Sequence, residues 1–159
     1  MLGSNLKFQD LPDCTSLFYN GKEYDEIDAK VSGQIPKWVS GVMNRNGPGM
    51  FDIGKSTFDH WFDPLALMHS FKIKDGKATY KSKFLRSDSY EENTKAGRIV
   101  RSGFGTTVAR DPCQHMFQNF VSFFKPEAAK PGDNCNVNMW PLGDKVSASS
   151  LAFDLSIIS

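Results

Sequence analysis

The sequence predicts a mainly β fold with one amphipathic helix near residues 111–124, and two observations carry the β assignment. Apolar and polar residues alternate along 65–74 and 77–84, which is the period of a half-buried strand. The dipeptide Asp75-Gly76 between them is the one that two-residue hairpin turns prefer. In addition, 13 phenylalanines in 159 residues favour β structure or an apolar ligand. A chain of this length fits one domain with a sizeable core.

The part before this hairpin is less regular. Residues 1–28 are mixed in character and predict an N-terminal lead-in, and residues 29–150 make up the predicted body of the fold. Short strands are expected at 29–31 and 38–45. The sequence Asn46-Gly47-Pro48-Gly49 predicts a tight turn, because glycine tolerates a positive φ and proline fixes its own.

The part after the hairpin alternates between polar and β-prone stretches. Residues 87–97 predict a loop with one helical turn, and residues 98–101 predict a short strand. A second hairpin is expected within 136–148, around the turn Pro141-Leu142-Gly143-Asp144. Residues 151–159 form a divergent tail that we expect to have no partner strand.

Residues 111–124 are the clearest amphipathic segment, with Asp111 suited to an N-cap and Pro112 to the first helical position. The apolar face carries Cys113, Met116, Phe117, Phe120, Val121, Phe123 and Phe124. On one interpretation this face packs on the sheet as ordinary core. On the other it lies in a membrane interface, with Cys113 as a candidate acylation site. The polar face lacks the Lys and Arg of interfacial helices, which favours the first interpretation.

Composition excludes several classes of protein. Lys and Arg number 19 against 18 Asp and Glu, so nothing indicates a nucleic acid as partner. Cys14, Cys113 and Cys135 show no C-x-x-C spacing, which indicates a reducing compartment rather than a disulfide framework. The N-terminus does not resemble a secretory signal, and no stretch approaches the roughly 18 apolar residues of a spanning helix. The sequence predicts a cytoplasmic protein that could lie on a membrane but not cross it.

The histidines raise the question of a metal, since imidazole is a common metal ligand. His60, His69 and His115 form no metal-binding pattern, so the residue pattern predicts no metal site. We expect His69, on the apolar side of its strand, to be a core histidine bonded to backbone. Cys113 lies two residues from His115, so the two would point apart on a helix, and no catalytic residue is predicted.

A set of short motifs runs in one order along most of the chain, from about Leu17 to Ser150. The motifs are Ile35-Pro36 through Trp38, Arg45-Asn46-Gly47-Pro48-Gly49, His60-Trp61-Phe62-Asp63 with Leu65-Ala66-Leu67, Phe84-Leu85-Arg86-Ser87-Asp88 through Tyr90 and Asn93, Arg98-Ile99-Val100, Phe104-Gly105-Thr106, Asp111-Pro112-Cys113, Asp133-Asn134, Val137-Asn138, and Pro141 through Gly143-Asp144. Each motif alone is weak. Together, in this order and spacing, they resemble the carotenoid cleavage oxygenases of animals.

This resemblance implies a seven-bladed β-propeller with a non-haem Fe(II) on its axis, held by four histidines that three glutamates orient. Dioxygen activated there would cleave a polyene double bond of a carotenoid into two aldehydes, and the family also includes a retinoid isomerohydrolase. Substrate would enter from a membrane through a patch around Asp111-Pro112-Cys113, which favours the interfacial interpretation of residues 111–124. Phe62 and Phe104 match positions near the family's substrate cavity.

The chain departs from the family at several places. The resemblance ends after Ser150, where the family continues with an iron-orienting glutamate and this chain has Leu151. The family's four iron-binding histidines lie beyond that point, and the histidines of this chain match positions that are not ligands. Pro64 replaces a usual glycine, and Gly103 replaces a usual acidic residue.

The predicted architecture is therefore a partial seven-bladed propeller of one or two blades with the lead-in. Seven blades of four strands at ~5–6 residues each would need roughly 140–170 residues before loops. We expect the chain to be poorly stable alone, because an open ring leaves unpaired edges. The leading hypothesis is the N-terminal part of an Fe(II)-dependent dioxygenase that by itself binds no iron and is inactive. The alternatives are a non-catalytic membrane- or retinoid-associated binding protein, or a non-functional truncated product.

Overall fold

The computed structural model describes residues 18–108, 132–142, 145–149 and 155–158. Within these ranges the elements are β1 (Tyr24–Asp28), β2 (Gly41–Met50), β3 (Asp52–Ile53), β4 (Ser56–Thr57), β5 (Leu65–Lys74), β6 (Lys77–Phe84), α1 (Asp88–Ala96), β7 (Asn138–Leu142), β8 (Lys145–Ser149) and β9 (Leu155–Ile158). The strands form three antiparallel sheets, in the orders β1-β6-β5-β2, β3-β4 and β7-β8-β9. The mainly β prediction is confirmed. The predicted helix at 111–124 lies outside the described residues.

Both predicted hairpins are confirmed. Strands β5 and β6 pair from Leu67↔Phe84 to Lys74↔Lys77, and the turn residues Asp75 and Gly76 have φ values of 52° and 78°. A positive φ at both positions gives a turn whose twist matches that of the strands. The second hairpin is formed by β7 and β8, but Pro141 and Leu142, which were predicted in its turn, belong to β7 and pair with Val146 and Lys145.

The predicted turn at residues 46–49 is wrong, because these residues continue strand β2. They pair with β5, and the register shifts between Pro48 and Met50. Neither Gly47 nor Gly49 has a positive φ. A Cβ on Gly49 would overlap the Cβ of Leu67 on β5, whereas a Cβ on Gly47 would meet no atom within 4 Å. Gly49 thus permits a close approach between two strands and not a change of direction.

Residues 87–97 contain the nine-residue helix α1 (Asp88–Ala96) with its two caps, and not the predicted loop with one helical turn. Ser87 is its N-cap and accepts a hydrogen bond from the amide of Tyr90 (3.2 Å). Gly97 ends it in the left-handed conformation, with φ of 62°. The sequence carries both signals, but the low apolar content of the segment hides them.

Three strand predictions are also wrong. Residues 98–101 form no strand, because the side chain of Asn93 accepts hydrogen bonds from the amides of Val100 (2.8 Å) and Arg101 (3.2 Å) in place of a neighbouring strand. The strand expected at 29–31 occurs earlier, as β1, which pairs with β6. The tail does find a partner, since its strand β9 pairs with β8.

Strand β5 separates two apolar cores. Leu65 packs with Ile53 and Ile99 on one face, whereas its neighbour Ala66 packs with residues of the second hairpin on the other. The second core consists of Ala66, Leu85, Cys135 and Ala148, with Met68 and Met139 against it. Since successive strand residues point to opposite faces, β5 begins buried on both sides.

Residues 133–136 connect these elements through side-chain hydrogen bonds. Asn134 accepts from the amide of Ala66 (2.8 Å) and donates to the carbonyls of Asp63 (3.1 Å) and Pro64 (2.8 Å). Asn136 donates to the carbonyls of Phe62 (2.8 Å) and Pro64 (3.1 Å). The segment before β5 is therefore held from outside the sheet, by residues about seventy positions away.

Asp133 holds the start of helix α1. Its carboxylate accepts from the amides of Asp88 (2.6 Å) and Ser89 (3.0 Å) and from the Ser89 hydroxyl. Burial alone raises the pKa of Asp133, but the hydrogen bonds from Ser89 and Asp88 outweigh it, so the pKa lies below its ordinary value. The guanidinium of Arg101 lies 3.6 Å from the same carboxylate and 2.8 Å from that of Glu92.

Gly49→Ala should destabilise the chain by about 1–3 kcal/mol, because the added methyl group overlaps Leu67 in a packed sheet. Urea denaturation at neutral pH measures this change. Gly47→Ala, two positions along the same strand, is the matched control and should change stability by less than about 1 kcal/mol. Equal destabilisation by both variants would contradict the close approach.

Asp133→Asn should destabilise the chain at neutral pH by about 1 kcal/mol, because the helix loses a charged acceptor. Because the folded-state pKa of Asp133 is lowered, its contribution to the free energy of unfolding is complete at pH values above its ordinary carboxyl value of 3.8. This contribution is lost as the pH falls through the folded-state pKa. The stability difference between variant and wild type should therefore narrow in acid. Urea midpoints of both proteins, measured across the acid range, test this expectation. A stability difference between variant and wild type that stayed constant with pH would contradict it.

Candidate functional site

Two loops bring three rings together on the surface of the protein. His60 and Phe62 lie between β4 and β5, and Phe104 lies on the loop that follows helix α1. Ring centroids are 5.1 Å apart for His60 and Phe62, 5.2 Å for His60 and Phe104, and 6.4 Å for Phe62 and Phe104. We call these three residues the aromatic cluster. Phe62 and Phe104, the two residues predicted to lie near a substrate cavity, are thus neighbours although 42 positions separate them in sequence.

The two phenylalanine rings of the aromatic cluster are largely exposed to solvent. Phe62 is 51% exposed and Phe104 is 74% exposed. Large apolar rings that meet on a surface favour contact with an apolar partner. Trp61 continues the apolar surface, being 68% exposed with its ring 5.2 Å from that of Phe18.

The loops that carry the aromatic cluster are fixed by hydrogen bonds. The Asp63 carboxylate accepts from the amides of Phe104 (2.5 Å), Gly105 (2.9 Å) and Thr106 (2.6 Å). The Thr106 hydroxyl in turn accepts from the amide of Asp59 (2.9 Å). Hydrogen bonds to a charged acceptor are stronger than those between neutral groups, so the two loops are firmly joined to each other.

His60 contributes to this arrangement by its own backbone and ring. Its carbonyl accepts from the amide of Asp63 (3.1 Å), and its Nδ1 accepts from the amide of Phe62 (3.2 Å). An accepting Nδ1 places the proton of the neutral imidazole on Nε2. His60 thus acts as a ring with a donor edge within an otherwise apolar cluster.

His69 lies outside the aromatic cluster, on β5. The prediction of a bond to backbone is wrong, because its Nδ1 lies 2.6 Å from the hydroxyl of Tyr80, whose ring stacks on it at 5.9 Å. Burial, and then the positive charge of Arg45, lower the pKa of His69 below its ordinary value. The neutral form is therefore the one that the fold favours.

The described residues do not form a recognisable metal site. Among them, no group of three or more His, Cys, Asp or Glu side chains is placed to hold an ion. The Nδ1 atoms of His60 and His69 both take part in hydrogen bonds within the protein. This part of the chain does not fit a four-histidine iron site, and no reaction step can be assigned to iron held here.

The residues predicted to contact a membrane fall outside the described ranges. They are Cys113, Met116, Phe117, Phe120, Phe123 and Phe124. Within the described ranges, no helix combines the length and the apolar character needed to cross a bilayer.

Comparison with known proteins identifies the family. The family model described as "RPE65: Retinal pigment epithelial membrane protein" matches residues 17–153. The chain is 45% identical over 129 residues to Beta,beta-carotene 15,15'-dioxygenase of Homo sapiens, covering 81% of this chain and 24% of that protein. It is 48% identical over 114 residues to a mitochondrial carotenoid-cleaving dioxygenase of Pongo abelii, covering 70% of this chain and 20% of that protein.

Solved structures agree with the sequence relatives. A cobalt-substituted apocarotenoid oxygenase (ACO) of Synechocystis matches with a TM-score of 0.63 at 31% identity, over 82% of this chain and 26% of that one. A chimera of ACO and RPE65 matches with a TM-score of 0.67 at 28% identity, over the same shares. The chain belongs to the RPE65/carotenoid oxygenase family, whose relatives include carotenoid dioxygenases, and its fold is part of the family's β-propeller. It spans about a quarter of the length of these relatives.

Proposed function

We propose that this chain forms part of the wall that binds the polyene substrate of an Fe(II)-dependent carotenoid cleavage dioxygenase. The observation that carries the proposal is the aromatic cluster, an exposed apolar surface on two firmly bonded loops. The relatives of this chain include proteins named as carotenoid dioxygenases. The substrate class is a carotenoid or a retinoid, whose flat conjugated chain suits the faces of phenyl rings.

In such an enzyme, Fe(II) supplies the activation of dioxygen, by which a carbon–carbon double bond becomes two aldehydes with one oxygen atom in each. The part of this chain would be to bind and orient the polyene. Phe62 and Phe104 offer their rings to it and exclude water from one side. His60, whose ring contacts both phenylalanines, would add a hydrogen-bond donor at Nε2 to this otherwise apolar cluster.

We further propose that this chain alone binds no iron and cleaves no carotenoid. Support comes from the resemblance, which assigns the four histidine ligands to a region beyond Ser150. The aligned part of this chain covers 24% of the human relative. On this proposal the chain retains an affinity for polyenes without the chemistry.

The purified chain, loaded with Fe(II) and then dialysed, should retain far less than one iron per chain and form no aldehyde from β-carotene.

Retinal should nevertheless bind to the chain and quench its tryptophan fluorescence. The double variant Phe62→Ala/Phe104→Ala should weaken that binding about tenfold, since two rings leave the contact. Phe71→Ala, in a ring contact on β5 outside the aromatic cluster, is the control and should bind as the wild type does. One tightly held iron per chain together with aldehyde formation would refute the inactive state.

Peripheral membrane contact is a second proposal, and it rests on the pattern of residues 111–124 together with the family resemblance. The apolar face of that segment would lie in the lipid interface of the membrane that supplies the substrate. The protein would remain cytoplasmic, bound at the membrane surface. Neither nucleic acid nor a membrane-spanning role is part of the proposal.

Liposome sedimentation tests the membrane proposal. The wild-type chain should sediment with vesicles of neutral phospholipid, and the double variant Phe117→Asp/Phe120→Asp should stay largely in the supernatant, because two charges enter the apolar face. Gln118→Asp/Asn119→Asp, on the polar face that the sequence pattern predicts, adds the same two charges and is the control. Equal sedimentation of the double variant and the wild type would remove these residues from the contact.

A further inference from the structure

The ring of Phe104 is in a defined place with little packing to keep it there. It is 74% exposed, and its ring contacts are with His60 and with Phe62, which is itself half exposed. Contacts of this kind between exposed rings are weak and cannot alone fix a loop. The position of Phe104 must therefore be determined by its backbone.

That backbone is held by one buried carboxylate. Asp63 is 5% exposed and accepts from three successive amides, of Phe104, Gly105 and Thr106, at 2.5–2.9 Å. The turn is closed by the amide of Gly103, which donates to the Thr106 carbonyl (2.9 Å). A buried carboxylate surrounded by amide donors is a strong local constraint, because each donor would otherwise be left without an acceptor.

Asp63 is itself held on both sides. Its amide donates to the carbonyl of His60 (3.1 Å), and its carbonyl accepts from the side chain of Asn134 (3.1 Å). Gly103 leaves space for the carboxylate, since a Cβ there would overlap the Asp63 side chain. Gly103 does not have a positive φ, so its backbone would accept alanine and the collision with Asp63 is the obstacle.

We propose that Asp63 is the positioning residue of the aromatic cluster: its carboxylate sets where the Phe104 ring meets Phe62 and thereby shapes the polyene-binding wall. This inference rests on the proposed function for its consequence in binding. The placement of the ring can be tested independently of it. Asp63 touches no substrate on this proposal and acts through Phe104.

Two variants act on the carboxylate from different sides. Asp63→Asn keeps the size of the side chain but replaces one acceptor oxygen with a donor, so at least one of the three amides loses its partner. Gly103→Ala leaves the carboxylate intact and displaces it. Gly41→Ala, at a strand position where a Cβ would meet no atom within 4 Å, is the control.

NMR of the whole chain supplies the readout that a general loss of stability would not move. In both variants the cross-relaxation between the rings of Phe62 and Phe104 should disappear, and the amides of Phe104, Gly105 and Thr106 should exchange faster. The β5–β6 hairpin should keep its signals. Retinal affinity should fall about tenfold in both variants and stay unchanged in Gly41→Ala. Should Asp63→Asn fail to fold, Gly103→Ala alone decides the proposal.

The outcomes separate the two levels of inference. If both variants keep the ring contact, Asp63 is not the positioning residue. If both lose the ring contact but bind retinal as strongly as the wild type does, Asp63 places Phe104 without shaping the polyene-binding wall, and that part of the proposal is overturned. If the wild-type chain binds no retinal, the proposed function is contradicted, and the ring contact still decides whether Asp63 places Phe104.

Discussion

The arrangement of this chain depends on the hydrogen bonds and burial of residues 133–136. Cys135 is fully buried between the two main sheets. The side-chain amides of its neighbours Asn134 and Asn136 donate hydrogen bonds to the backbone that leads into β5. Asp133 completes the segment by holding helix α1. Four consecutive residues thus join both hairpins and the helix, since buried backbone groups must find partners and here side chains provide them.

Residues 133–136 also hold the loop that carries part of the aromatic cluster. The carbonyls of Phe62, Asp63 and Pro64 are all bonded to Asn134 or Asn136, so the loop before β5 cannot shift alone. The Asp63 carboxylate then fixes residues 104–106 by accepting hydrogen bonds from their three amides. Rings that face solvent can therefore hold one geometry without being buried, which is the requirement of a surface prepared for an apolar ligand.

Local signals made some of this predictable from sequence. The alternation around Asp75-Gly76 predicts β5 and β6 because turn chemistry and strand period agree within twenty residues. The glycines in β2 are a misleading turn signal: Gly49 permits a close approach to Leu67, which only the folded sheet reveals, whereas a Cβ on Gly47 would meet no atom within 4 Å. Helix α1 was underestimated because part of its N-terminal support comes from Asp133, 45 positions away. The assignment of Phe62 and Phe104 to a substrate cavity comes from the family resemblance and stays a prediction, whereas nothing local indicates that Asp63 bonds to the loop of Phe104.

The reach of the 133–136 segment also bears on the order in which the chain folds. The β5–β6 hairpin closes through a two-residue turn, so it can form early at small entropic cost. Helix α1 has nine residues, too few to be stable in water by itself. The bond from Asn46 to the Cys135 carbonyl spans 89 positions and closes only when most of the chain is in place. Helix and aromatic cluster should therefore become ordered late and together, in the step that docks this segment.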